Sequence, residues 1–196
     1  MTSAAPQPPV LNADNLREMQ TARVSLRKIR RAVLSAKIEG YSVAICGALT
    51  VAMGMGSIWQ MLGGTVLAVI GVIEIVGGTR LGKLDIDAVR ILTINQLSLA
   101  VLILMYALWM LHSEMVHPAD LADLGAAGGA DLGQMGSSIQ GLTHEIMLLM
   151  YGSMILAAAV EAGMAAYYHS RGAHLRRYLS ETPAWIIAMQ KAGMTI

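Results

Sequence analysis

The stretch GYSVAICGALTVAMGMGSIWQMLGGTVLAVIGVIEIVGG, Gly40 to Gly78, decides the fold. Charge disappears between Glu39 and Glu74, and glycines recur at seven-residue intervals in two sets: Gly40, Gly47 and Gly54, then Gly64, Gly71 and Gly78. An uncharged run of this length exceeds the ~20 residues that cross a bilayer as one helix, and fits two crossings joined by a tight turn. Gly54, Met55, Gly56 and Ser57 supply the turn. A repeat of seven returns to nearly the same helix face, so each ladder leaves a groove without side chains in which a second backbone can lie close. The expectation is a close-packed antiparallel helical hairpin in lipid.

Working outward, the composition agrees. With 196 residues, 55% hydrophobic and 14% charged, the chain suits a small membrane protein rather than a soluble domain. The net charge of +1 implies no nucleic-acid partner, but it averages over a sharp segregation: all 14 Lys and Arg residues lie at or before Arg90, or at or after Arg171. The lone cysteine, Cys46, falls within the first span and reads as a small buried packing residue. The first apolar run begins about 40 residues in, so a cleavable signal peptide is not expected.

Residues 1–12 are rich in Pro and Ala and read as disordered. Over 13–37, Met19, Ala22, Leu26, Ile29, Val33 and Ala36 step by three and four while Arg23, Arg27, Lys28, Arg30 and Arg31 occupy other faces. This is a basic amphipathic helix, capped by Asn12 or Asp14, and placed on an anionic leaflet or, alternatively, paired with its own kind through the apolar seam. The membrane domain covers 38–168, with spans at 38–55, 58–78, 91–111 and 142–168. In the Gly-rich, acidic stretch 113–141 Pro118 suits the first position of a short helix, and the glycines argue for a loop after it. The tail, 169–196, carries Arg176 and Arg177 and a short interfacial helix with Thr182 as N-cap and Pro183 as first helical residue.

The fold class expected is therefore all-α, a four-span bundle running up, down, up and down. The positive-inside bias places both termini in the cytoplasm and the 113–141 loop outside, in the plasma (cell inner) membrane.

Three places carry polar groups where they are costly. Glu74, Asn95 with Gln96, and Glu161 each lie five or six residues from a basic or aromatic boundary residue, about 8 to 9 Å inside the cytoplasmic interface at 1.5 Å per residue. They form a candidate proton or cation relay, or they tie helices together by hydrogen bonds. At the opposite interface His112, His117, His144 and Glu145, with methionines such as Met105 and Met110 nearby, suggest copper or zinc handling, against a reading of Met as flexible apolar filler in a chain without Phe. No phosphate-binding, dinucleotide, zinc-protease or CxxC motif occurs, so neither catalysis nor a cofactor is expected.

The layout resembles the membrane-spanning four-domain family of tetraspan proteins. Ile58 and Trp59 open the second span, Glu74 precedes a basic loop, Asn95 and Ser98 lie early in the third span, and Glu161 lies late in the fourth. The outer loop carries no cysteine. The resemblance implies an oligomeric adaptor or channel-associated protein. The function expected is accordingly a non-catalytic, self-associating scaffold or accessory subunit of a membrane complex, its partners membrane lipids and copies of itself or other subunits. An ion or proton path through the intramembrane carboxylates is the alternative.

Overall fold

The computed structural model describes residues 12–55, 57–116, 130–192 and 194, of which 114–116 and 130–144 are described as backbone only. Among these residues the protein is all-α, with five helices: α1 Ala13–Met53, α2 Ile58–Gly82, α3 Ile86–Val116, α4 Ala130–Glu181 and α5 Ala184–Lys191. The first four are long and apolar enough to cross a membrane. Their outward faces carry Trp59, Leu149, Ile58 and Trp109, each at least 70% exposed. A surface of that kind needs hydrocarbon as its solvent, so this is an integral membrane protein.

Helix α1 begins where Asn12 accepts a hydrogen bond at Oδ1 from the Ala13 amide, 2.6 Å. Asp14 sits in the first turn, where the helix dipole favours an acid. No glycine or proline occurs from Ala13 to Glu39, and α1 runs unbroken through the boundary expected at residue 37. Its 41 residues extend on the order of 60 Å, twice the ~30 Å of a hydrocarbon core. Half of α1 must therefore lie outside the bilayer. The helix stops at Gly54, whose amide bonds back to the Thr50 carbonyl, and the Ser57 amide then bonds to the Gly54 carbonyl to open α2. Ser42, Thr50, Thr65 and Thr79 each donate to the carbonyl four residues before, which satisfies their hydroxyls within the helix.

The connection from α2 to α3 is only residues 83–85. Leu84 takes a positive φ of 61°, an unusual choice for a branched side chain, and holds it with that side chain buried. Asp85 Oδ1 accepts from the Asp87 amide at 3.0 Å and caps α3, which starts ahead of the expected third span.

The chain forms two compact units, one comprising residues up to Asn95 and from Met164 on, the other Gln96–Gly163. In the first, α1 and α2 pack backbone to backbone. A Cβ built on Gly47 would lie 2.7 Å from the Gly64 carbonyl oxygen and collide with the Ala68 backbone. One on Gly71 would lie 2.6 Å from the Gly40 carbonyl oxygen and collide with Ala44. Gly64 and Gly40 face the same crowding from the other side, at 2.8 Å from the Gly47 oxygen and 2.9 Å from the Gly71 oxygen. Gly78 meets Ala36, and Gly54 packs on Gln60 in the first turn of α2. The expected hairpin is present, and it occupies its own glycine grooves.

Four expectations need correction. The apolar stripe of 13–37 does not lie on lipid: Ala22, Leu26, Ile29, Ala32 and Ala36 are buried in one core with Leu81, Leu84, Ala88, Leu92, Tyr168, Leu175 and Tyr178. Ile186 of α5 joins that core at 0% exposure, so the tail helix is packed on protein as well. The stripe is narrow and rich in alanine, which suits close helix packing better than the broad bulky face a lipid-surface helix needs. Second, the backbone from Ala130 to 141, expected as loop, is helical and continuous with the fourth span, while 117–129 lie outside the described residues. Third, Pro183 rather than Thr182 is the N-cap of α5, and Ala184 its first helical residue. Fourth, Cys46 is exposed.

The second unit buries Leu99, Ala100, Ala107, Tyr151 and Ala158 and exposes Val101, Met105, Leu149 and Leu156. It contains no Lys or Arg.

The glycine contacts make a graded prediction. Gly47→Ala and Gly71→Ala should each destabilise the folded state by about 1–3 kcal/mol, because the added methyl meets backbone that cannot yield. Gly63→Ala, at a position with nothing within 4 Å, should change stability by less than about 0.5 kcal/mol. Reversible unfolding in mixed micelles, followed by circular dichroism, measures both.

Candidate functional site: a buried polar layer at the hairpin

The register of the hairpin sets which polar groups meet. Gly40 faces Gly71, so Glu39 on α1 and Glu74 on α2 enter the same level of the first unit. Glu74 is fully buried, at 0% exposure, and Glu39 is half-buried. Tyr168 of α4, also at 0% exposure, points its hydroxyl at Glu39 Oε2, 3.5 Å away, a long contact. Ser35, one turn before Glu39, and both carboxylates are near enough to act on the same phenol.

Asn95 fixes α3 to this level. Its Nδ2 donates to the Ile70 carbonyl at 3.1 Å, one turn before Glu74. That carbonyl already serves its own helix and accepts through a second lone pair. The bond crosses between helices where water is scarce, and in such settings a side-chain bond carries about 0.6 to 1.7 kcal/mol. At the end of the layer Tyr167 packs edge-on against Tyr168, centroids 5.7 Å apart, and the Arg171 guanidinium lies 4.4 Å above the Tyr167 ring.

Two carboxyl groups, a phenol and a hydroxyl within one low-dielectric level can share or pass a proton, and a carboxylate there must be paired, hydrated or protonated. Of the expected polar cluster, Glu74 and Asn95 belong to this level. Gln96, fully buried, and Glu161, half-buried, belong to the second unit. Ser35, Glu39 and Tyr168 were not anticipated. Their signal was present in the four-residue spacing of Ser35 and Glu39, directly before the first ladder glycine, but Glu39 reads in sequence as the last charge before lipid and Tyr168 as the end of the fourth span.

The basic residues expected to face a lipid surface, Arg23, Arg27, Lys28, Arg30, Arg31, Arg176 and Arg177, are all exposed. Arg177 pairs with Glu181 at 2.8 Å along α4. At the expected metal site His112 and Glu145 are exposed, while His117 and the side chain of His144 lie outside the described residues. Among the described residues no group of three or more potential ligands is assembled to hold a metal ion.

Asn95→Leu should lower stability by about 0.5–2 kcal/mol through the lost bond to Ile70, whereas Asn95→Asp, which places a further acid in the layer with Glu39 and Glu74, should cost more. Unfolding in mixed micelles at neutral pH ranks the two.

No family model, curated protein or solved structure matches the chain.

Proposed function

We propose that this is a non-catalytic membrane scaffold or accessory subunit that self-associates or joins a larger complex, with both termini cytoplasmic and its basic end held at the anionic leaflet of the plasma membrane. The observation that carries the association is on α4. Gly152 and Gly163 have no atom within 4 Å of an added Cβ. With Ala159 between them they make an exposed seam on one helix face, beside Leu156. The ladder glycines cannot serve this purpose, because α1 and α2 already fill each other's grooves. The resemblance in layout to the four-domain tetraspan family points the same way, and the segregation of Lys and Arg supports the orientation.

Size-exclusion chromatography with multi-angle scattering in detergent tests the association. Gly152→Leu/Gly163→Leu should reduce the assembly to the mass of one chain while leaving the helical melt intact, because the seam is open in the monomer. Unchanged mass would dismiss the seam as an interface.

A second reading, an ion or proton path, is favoured by the burial of Glu74 beside Glu39 and Tyr168. On that reading Glu74→Gln and Glu161→Gln lower proton or cation flux in reconstituted liposomes at least 10-fold, the size of effect that about 1.4 kcal/mol produces. Flux indifferent to both substitutions removes it.

A further inference from the structure

A cleft of about 440 Å³ opens between the first turns of α3 and the C-terminal part of α4, wholly within the first unit. Its polar lining includes Arg90, Arg176 and His169, opposed by the carboxylate of Asp87. Gly172 is its floor: a Cβ there would lie 3.1 Å from Val89 Cγ1 and 3.8 Å from Arg176 Nη1, so the guanidinium folds over a spot kept free of side chain. Neither cleft arginine forms an ion pair with a carboxylate of the described residues.

We infer that this cleft binds the phosphodiester of an anionic lipid headgroup. Two guanidiniums match phosphate oxygens as planar forks. Two guanidiniums against the Asp87 carboxylate leave a single positive charge among these three groups, which balances the single negative charge of a phosphodiester. Arg90 stands where the polar connection gives way to apolar α3, and Ile94, one turn on, also lines the cleft and is 54% exposed. A headgroup held by Arg90 and Arg176 therefore leaves its acyl chains beside apolar surface, which a free phosphate ion would not use. Basic clefts between helices at the cytoplasmic side have this chemistry. The inference rests on the proposed placement of the basic end at the anionic leaflet. Its test in detergent has no sidedness, so labelling that put the termini outside would overturn the orientation without deciding the cleft.

Full-length protein, delipidated in neutral detergent and titrated with phosphatidylglycerol or phosphatidylcholine, is read by native mass spectrometry. Phosphatidylglycerol should be retained on the order of 10-fold more tightly. Arg90→Gln/Arg176→Gln should abolish the preference, and Arg23→Gln/Arg27→Gln, the same charge change on exposed residues of α1, should keep it. Equal loss in both double variants, no loss in the first, or displacement of the lipid by equimolar inorganic phosphate would each overturn the lipid site. If the glutamine variant lost its helical melt, Arg90→Lys/Arg176→Lys, which keeps the charge and removes the forks, decides instead: weakened retention supports the site and undiminished retention overturns it.

Discussion

The close approach of α1 and α2 at Gly40, Gly47, Gly64 and Gly71 is the constraint on which the rest of the first unit depends. In lipid there is no hydrophobic force to bring two apolar helices together, so dispersion between tightly fitted backbones must do it. The two pairs, Gly40 with Gly71 and Gly47 with Gly64, fall in a single antiparallel register. Sliding α2 by one residue would set side chains against carbonyls along the whole contact. That register in turn decides the polar chemistry, because it brings Glu74 to the level of Glu39 and gives Asn95 the Ile70 carbonyl as its acceptor.

Helix α1 also shows how one helix serves two solvents without a break. Its N-terminal half turns a seam of Ala22, Leu26, Ile29, Ala32 and Ala36 toward protein and keeps its arginines in water. Its C-terminal half buries glycines against α2 and exposes Tyr41, Ile45 and Leu49. The seam is continuous at a spacing of three to four residues, so the face directed at protein never changes; only the opposite face passes from charged to apolar. The Leu84 turn and the extension of α4 to Glu181 supply the partners that the seam needs outside the bilayer.

The hairpin was legible in sequence because glycine spacing and hydropathy report on the same helices, and the Gly54 turn stood where two spans required it. Helix ends were less legible. Residues 37 and 38 mark a change of solvent, which composition records, and no change of backbone, which composition does not. For the stripe of 13–37, periodicity identified the buried face but could not say whether lipid or protein buries it; the alanines were the clue in favour of protein. Glu74 and Asn95 were recognisable since polarity within a span is costly. Glu39 and Tyr168 were not, because at the end of a span a charge or a phenol is ordinary, and only the register of α1 on α2 turns Glu39 inward.

On the proposed function, the two units divide two physical tasks. Every Lys and Arg lies in the first, together with the Ser35, Glu39, Glu74 and Tyr168 layer, whereas the second has no cation and presents apolar side chains and the open Gly152, Ala159 and Gly163 seam. Electrostatic attraction to an anionic leaflet acts over about a Debye length and asks only for exposed cations at the right height. Helix association in hydrocarbon acts at contact and asks for small residues without charge. A seam carrying arginines would have to bring them into lipid, and a basic surface built on glycine would lack the long side chains that reach headgroups. On that proposal each composition suits its surroundings, and among the described helices α3 and α4, which run through both units, must satisfy the two at once.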